Sequence, residues 1–458
     1  MPDDPRADFA PVWLTCTECR GAVFSGFTRC LAHLGTDLER YVDRIGPGAV
    51  VDVRGTTISG ELLDRLLAAV SDAPGHPVLG FARFDHVWFT GDARFQNVAF
   101  THDVTFTHAQ FDGYALFDGA SFGQDAGFDQ ARFGRPALFR DAVSEGELHF
   151  VNARFEKRAW LGPLRTTDLR LDRARFEATA EVAVEAEIVR CQLTRFEGGA
   201  NLRCCGSFVD AAQTTFGAAS TIVGSEGVHI LSDTPRGNWM PQLVSLQATD
   251  VSNLELADVD LRWCEFSGAH RLDQLRFAGR CPFNTPPRSW RWTQRQTLAE
   301  EYPWRGWDAG TRRDLNRLSP ERLAALYRSL RKALEDSKNE AGAGDFYYGE
   351  MDARRHSSTT RWAERRILGL YWLLSGYGQR GGRALVALLV LIATVTVLLL
   401  TWGQPFGSAA RLAVGAVVFR DDGTDLTEAG AWTVLVARFL GPVLLALAVL
   451  AVRARVKR

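Results

Sequence analysis

The sequence predicts a mainly β protein: a stacked β solenoid, preceded by a small Cys/His module and followed by a helical region and a two-helix transmembrane hairpin. Three observations carry this. Phenylalanine recurs every eleven residues at Phe84, Phe95, Phe106, Phe117, Phe128, Phe139 and Phe150, and a second series, offset by five, holds Phe89, Phe100, Phe111, Phe122, Phe133 and Phe155. Two ligand pairs, Cys16-x2-Cys19 and Cys30-x2-His33, stand near the N-terminus. Two long apolar stretches close the chain, Ala384–Trp402 and Trp432–Val452.

The boundaries implied are a zinc knuckle over 1–35, a helix/strand cap over 36–77, the β-helix over 78–280, a connector with juxtamembrane helices over 281–382, and two transmembrane helices over 383–458. A chain of 458 residues has room for several domains. The net charge of −1 gives no basic footprint for nucleic acid. The opening MPDDPRADFA has neither the basic nor the apolar region of a signal peptide, so the N-terminus is expected in the cytoplasm.

Cys16, Cys19, Cys30 and His33 have the pair spacing by which a structural zinc ion is held, each pair giving two ligands to one tetrahedral site. The set is closed, with no open position for chemistry. The alternative is a disulfide or free thiols beside a chance His33, and a reducing cytoplasm argues against disulfides. Next, Thr36 with Glu39 predicts a capped short helix, Val50–Val53 a strand, and Ser59-Gly60-Glu61 a second helix with Leu62, Leu63, Leu66 and Leu67 on one face. A helix of that kind closes the open end of a solenoid.

In the ladder, a small apolar residue stands two before each Phe, so both share one face of a short strand. Ser144 is the single lapse of the second series. Turn residues such as Asp112-Gly113, Asp118-Gly119 and Gly134-Arg135-Pro136 separate the strands. Recognition is left to the residues between, such as Gln96, Asn97, Thr101, His102, Asp103, Thr107 and His108. Beyond Phe155 the pattern loosens, and Trp160, Leu161, Leu171, Phe176, Ile188, Leu193 and Phe196 are read as its continuation. A Pro/Gly/Asn loop at 234–241 interrupts it. Leu246, Val251, Leu256, Leu261 and Phe266, five apart, are read as the last coils. Cys191, Cys204, Cys205, Cys264 and Cys281 are expected as buried thiols.

Ala93-Arg94-Phe95, Ala109-Gln110-Phe111, Ala120-Ser121-Phe122, Ala131-Arg132-Phe133 and Ala153-Arg154-Phe155 resemble the motif of the pentapeptide-repeat family. The resemblance implies a right-handed quadrilateral β-helix. The sixth residue at every second step is a departure, giving 22 residues per four-sided coil rather than 20. The segments Tyr327–Asp336 and Asp345–Met351, with the Cys/His module, resemble actinobacterial pentapeptide-repeat membrane proteins, a group without an agreed activity. Gyrase inhibitors of the family imitate DNA. Residues 81–160, however, carry 11 acidic and 8 basic side chains, a net −3, too little for a duplex mimic.

Ser319-Pro320-Glu321 predicts a helix start, with Leu323, Leu326, Tyr327, Leu330 and Leu334 on its apolar face. Arg361, Arg365, Arg366, Arg380 and Arg383, interleaved with Trp362, Tyr371, Trp372 and Tyr377, read as an interfacial segment before the first span. Arginines also follow the second span, whereas the loop carries Asp421, Asp422, Asp425 and Glu428. Both termini are therefore expected to be cytoplasmic, in a multi-pass protein of the plasma membrane. Gly376-Tyr377-Gly378 precedes the first span, where a turn fits and a selectivity filter does not. The nine His are scattered, and neither a catalytic constellation nor a phosphate loop is present. The resulting expectation is a non-enzymatic, membrane-tethered scaffold whose β-helix binds a protein partner. The alternative is an oligomeric sensor or channel-like protein built around Arg438, with homo-oligomerisation.

Overall fold

The computed structural model describes residues 10–24, 26–225, 239–287, 294–308, 310, 315–420 and 426–456, with side chains to residue 450. Most of the predicted loop at 234–241, the acidic Asp421, Asp422 and Asp425, and the basic C-terminal side chains lie outside the described residues. The chain forms two compact units, Met1–Phe283 and Asn284–Arg458.

Short parallel strands in the first unit stack into a solenoid of about nine turns. Register fixes the coil length. Phe89 pairs with Phe111, Phe111 with Phe133 and Phe133 with Phe155, each 22 residues on. One such coil runs through four two-residue strands, Ala93–Arg94, Ala99–Phe100, Val104–Thr105 and Gln110–Phe111. Every Phe of both series from Phe84 to Phe155 is buried. Rings one coil apart lie face to face, as Phe95–Phe117 at 4.9 Å and Phe117–Phe139 at 4.7 Å, which is the spacing of the backbone ladder. Rings half a coil apart meet edge to face, as Phe106–Phe117 at 5.4 Å. Both arrangements suit the aromatic quadrupole.

The alternation of five and six residues has a conformational cause. Five-residue steps close on a turn in which the N–H three residues after Phe donates to the Phe carbonyl, as Ala109 to Phe106 at 3.0 Å. Such a turn needs φ > 0 two residues after the Phe. His86, His108, Gln130 and Asn152 occupy that place on one side with φ of 56–58°, and Asn97 and Asp141 do so on the other. Gly119, at φ 69°, stands between the latter two in the stack, where no side chain resists the conformation. Acidic residues fasten successive coils. Asp85, Asp92, Asp103, Asp118 and Asp129 each accept the backbone N–H of the residue 22 positions later, at 2.9–3.2 Å.

The solenoid narrows after Ser144. The repeat falls to 21 residues at Glu147–Asp168 and to 20 at Leu164–Val184. Two-residue strands give way to long ones, Ala159–Arg165, Ala180–Glu185 and Ala200–Cys205. Ser144 is buried where its coil neighbour is Phe122, and its hydroxyl donates to the Gln124 carbonyl at 3.2 Å. Aliphatic side chains replace the rings: Leu161, Val182, Leu202 and Ile222 stack in register. Phe176 and Phe196 continue inward as expected, but Leu193 does not. It is a left-handed corner residue at φ 60°, 41% exposed, and the thiol of Cys191 fills the interior instead. Cys204, Cys205 and Cys264 are likewise buried, and Cys281 is partly so. Leu246, Val251, Leu256, Leu261 and Phe266 are all buried.

At the N-terminal end, helix α1 (Asp37–Val42) lacks the predicted side-chain cap, because Thr36 is itself in a helical conformation. The strand Ala49–Asp52 pairs with His76–Arg83, so the parallel ladder starts before the Phe series. Helix α2 (Gly60–Ala69) is capped by the Ser59 hydroxyl, which accepts from Leu62 N–H, and it buries Leu63, Leu66 and Leu67.

The second unit is helical: α3 (Glu301–Arg305), α4 (Pro320–Asp336), α5 (Glu340–His356), α6 (Trp362–Ser375), α7 (Gly381–Thr401), α8 (Phe406–Val417) and α9 (Glu428–Val456). Ser319 caps α4 with Pro320 in its first turn, as the sequence predicts. Helix α7 and the part of α9 over Glu428–Leu450 are long and apolar enough to cross a membrane. The stretch between them is more than a loop. Helix α8 packs Ala409, Leu412, Ala413 and Ala416 against Val395 and Leu399 of α7 and Val434 and Ala437 of α9. Arg438 lies beside the turn after α8, 3.5 Å from the Arg420 carbonyl. Gly376-Tyr377-Gly378 forms the turn joining α6 to α7. All three residues have positive φ, and Tyr377 is buried against Tyr348 and Tyr371.

Candidate metal centre

Residues 15–22 form a tight hairpin: Thr15 bridges Ala22, and Cys16 N–H donates to the Gly21 carbonyl at 2.8 Å. This loop presents two sulfurs inward. Cys30 and His33 come from the start and end of a single short helical turn, Leu31–His33. The four ligand atoms lie within 4.8 Å of one another. Nδ1 of His33 is 3.6 Å from Cys16 Sγ, 3.4 Å from Cys19 Sγ and 3.3 Å from Cys30 Sγ, and Cys19 Sγ is 3.5 Å from Cys30 Sγ. Around a tetrahedral ion with bonds of about 2.3 Å to sulfur and about 2.0–2.1 Å to nitrogen, such atoms sit about 3.6–3.8 Å apart. The donor set and its geometry therefore can hold a metal ion.

The loop also supplies what thiolates need. Glu18 N–H points to Cys16 Sγ at 3.4 Å, and Gly21 N–H to Cys19 Sγ at 3.3 Å. Burial opposes charge on Cys16, but the N–H groups of Cys30 and Glu18 together with His33 more than offset it and its pKa is lowered. The Cys30 thiol, hydrogen-bonded to Cys19, brings Cys19 down to about 5. Glu18 stands 3.9 Å from Nε2 of His33, the ring nitrogen left over by the cluster. That is beyond hydrogen-bond distance, but it is the side from which a carboxylate orients a ligating imidazole. The spacing of Cys and His pointed to the four residues that the fold brings together, but neither the N–H donors nor Glu18 carried a separate sequence signal.

The surface residues expected to serve recognition are partly committed to the frame. Asn97 and His108 are left-handed corners, Asp103 bonds the next coil, and His108 stacks on His86 at 4.6 Å. The face carrying Arg132, Arg154 and Arg175 is a zipper, pairing with Glu156, Glu177 and Glu197 of the following coil at 2.6–2.9 Å.

Sequence reasoning missed a polar core in the second unit. Buried Arg295 and half-buried Arg305 both pair with Glu301. Tyr327 donates to the same carboxylate, and Arg305 also reaches Asp352. Burial would raise the Asp352 pKa, but Arg305, Arg355 and Arg295 hold it below the usual carboxylate range. These residues are scattered over some sixty positions of sequence, with no spacing to betray them.

A family profile described as pentapeptide repeats (9 copies) matches residues 117–162. Over these residues the solenoid is a pentapeptide-repeat β-helix. The match covers the later 22-residue coils and the start of the first long strand, Ala159–Arg165. No curated protein and no solved structure matches the chain.

Proposed function

We propose that this chain is a membrane-anchored, non-enzymatic scaffold whose pentapeptide-repeat β-helix binds a protein partner. The observation that carries the reading is where the solenoid's chemistry is spent. Its rings pack inward, its corner aspartates hold the next coil, and its Arg/Glu zipper is internally neutralised. What remains outward is a repetitive ladder of short strands with isolated apolar side chains such as Tyr114 and Phe208, 47% and 51% exposed. Extended solenoid faces of this kind suit protein binding. Helices α7 and α9 anchor the chain as a hairpin in the plasma membrane, with both termini cytoplasmic, the arrangement favoured by arginines at the outer ends of the spans. Cys16, Cys19, Cys30 and His33 hold a structural zinc ion that ties the N-terminal loop together.

Crosslinking in native membranes tests the scaffold. A reproducible partner is expected with the full chain, and its capture is expected to fall in a Tyr114→Ala/Phe208→Ala variant. Absence of any reproducible partner, or capture unaffected by the substitutions, overturns the reading.

A further inference from the structure

The polar core of the second unit opens into a cavity of about 300 Å³. That is the lower end of the range for small-ligand sites. Arg295, Arg305, Arg355 and Arg380 line it, together with Asp352 as the single carboxylate among the described residues of the wall. Among the described residues in contact just behind the wall, Glu301 joins Asp352 against the four guanidiniums, which leaves an excess of two positive charges among them. Including the more distant Arg383 and Asp345, both of which act on Arg380, leaves that excess unchanged.

Each guanidinium lies over an aromatic ring. Arg295 and Arg380 are each 5.2 Å from the centre of Tyr348, Arg305 is 5.2 Å from Trp307, and Arg355 is 4.4 Å from Trp372. Stacking occupies the faces of these groups and leaves their in-plane N–H donors for acceptors. Arg355 Nε is buried without a hydrogen-bond partner among the described residues. Burial lowers the Arg380 pKa, and the positive charges of Arg383 and Arg295 act in the same direction.

We propose that this cavity binds an anionic phosphoryl group, carried by a lipid headgroup or by a free phosphate. Planar guanidinium forks match phosphoryl oxygens two at a time, and a positive surplus held in a half-buried wall attracts a compact anion more than a solvated surface patch does. Position also favours a membrane source. Arg380 immediately precedes α7, one of the two helices long enough to cross a bilayer. Trp372 belongs to α6, whose Ile367, Leu370 and Leu373 are 57–68% exposed beside Arg365 and Arg366. An apolar and basic helix of that kind lies at headgroup depth.

The test uses the full chain in uncharged detergent, titrated by calorimetry with inorganic phosphate and with water-soluble dihexanoyl phosphatidylglycerol, and with dihexanoyl phosphatidylcholine as the zwitterionic control. Binding of phosphate or phosphatidylglycerol is expected, weakened about tenfold or more by Arg380→Gln and unchanged by Arg366→Gln outside the cavity. Tighter binding of the anionic lipid than of phosphate assigns the site to headgroups, whereas equal binding assigns it to the free anion. Should Arg380→Gln fail to fold, Arg380→Lys, which keeps the charge and loses the fork, is expected to weaken binding in its place. The proposal is overturned if neither anion binds, if phosphatidylcholine binds as well as phosphatidylglycerol, if the Arg380 variants bind as the parent does, or if Arg366→Gln loses as much.

Discussion

Phe117 shows how one residue type can specify a fold. It is fully buried, stacked between Phe95 and Phe139 and touched edge-on by Phe106 and Phe128. Phe117→Ala removes these contacts, and rigid coils above and below leave little room for collapse. A loss of about 3–5 kcal/mol by denaturant titration is expected. At the metal centre, purified protein is expected to carry one zinc per chain by metal analysis, and Cys19→Ser to lose it. Normal zinc content in that variant would exclude Cys19 as a ligand. Glu321 offers a pH prediction. Its carboxylate accepts from the Ser357 hydroxyl at 2.6 Å and from Ser358 N–H at 3.2 Å, which lowers its pKa to about 2 from the ordinary value near 4.5. A depressed carboxylate stabilises the fold fully above its unfolded pKa, and this contribution is lost as pH falls through about 2. Melting curves of the parent and of Glu321→Gln are therefore expected to differ above pH 5 and to converge towards pH 2.

Between elements, the sequence is most legible where contacts are periodic. Steps of five and six residues imply a 22-residue coil, and Phe89, Phe111, Phe133 and Phe155 stack at that interval. The later narrowing was hidden, because Val182, Leu202 and Ile222 are aliphatic residues that fit a strand or a helix equally well. Helix α8 was hidden too: twelve residues, eight of them Gly, Ala or Val and the rest one each of Phe, Ser, Arg and Leu, carry no cap signal, and three-helix packing fixes them. The α4–α5 pair turns on Gly349. A methyl there would stand 2.6 Å from the ring of Tyr327, which is fully buried and held by Glu301 and the Leu298 N–H. Alanine favours a helix by about 1 kcal/mol over glycine. Overpacking against a fixed ring costs about 1–3 kcal/mol. Gly349→Ala is therefore expected to lower the melting temperature, and a rise would mean that Tyr327 can move.

At the scale of the whole molecule, the Cys/His cluster and both long apolar helices were legible, since each is a local pattern. The arginine-lined cavity was not, because it depends on residues from Arg295 to Arg380 that only folding brings together. Membrane orientation is tested by a thiol introduced at the exposed Asp37. An impermeant label is expected to leave Asp37→Cys unmodified in intact cells and to react after permeabilisation. Labelling of intact cells would place the N-terminal unit outside.

The coil repeat also sets a mechanical unit. Each 22-residue coil is fastened to the next by backbone ladders and a corner aspartate. Under tension applied to the chain ends, a coil that lets go becomes slack of about 73–79 Å, whereas the 20-residue coils between Leu164 and Gly224 yield about 66–72 Å each. The solenoid is thus a ratchet of graded increments, and its narrowing at Ser144 marks where the step length changes.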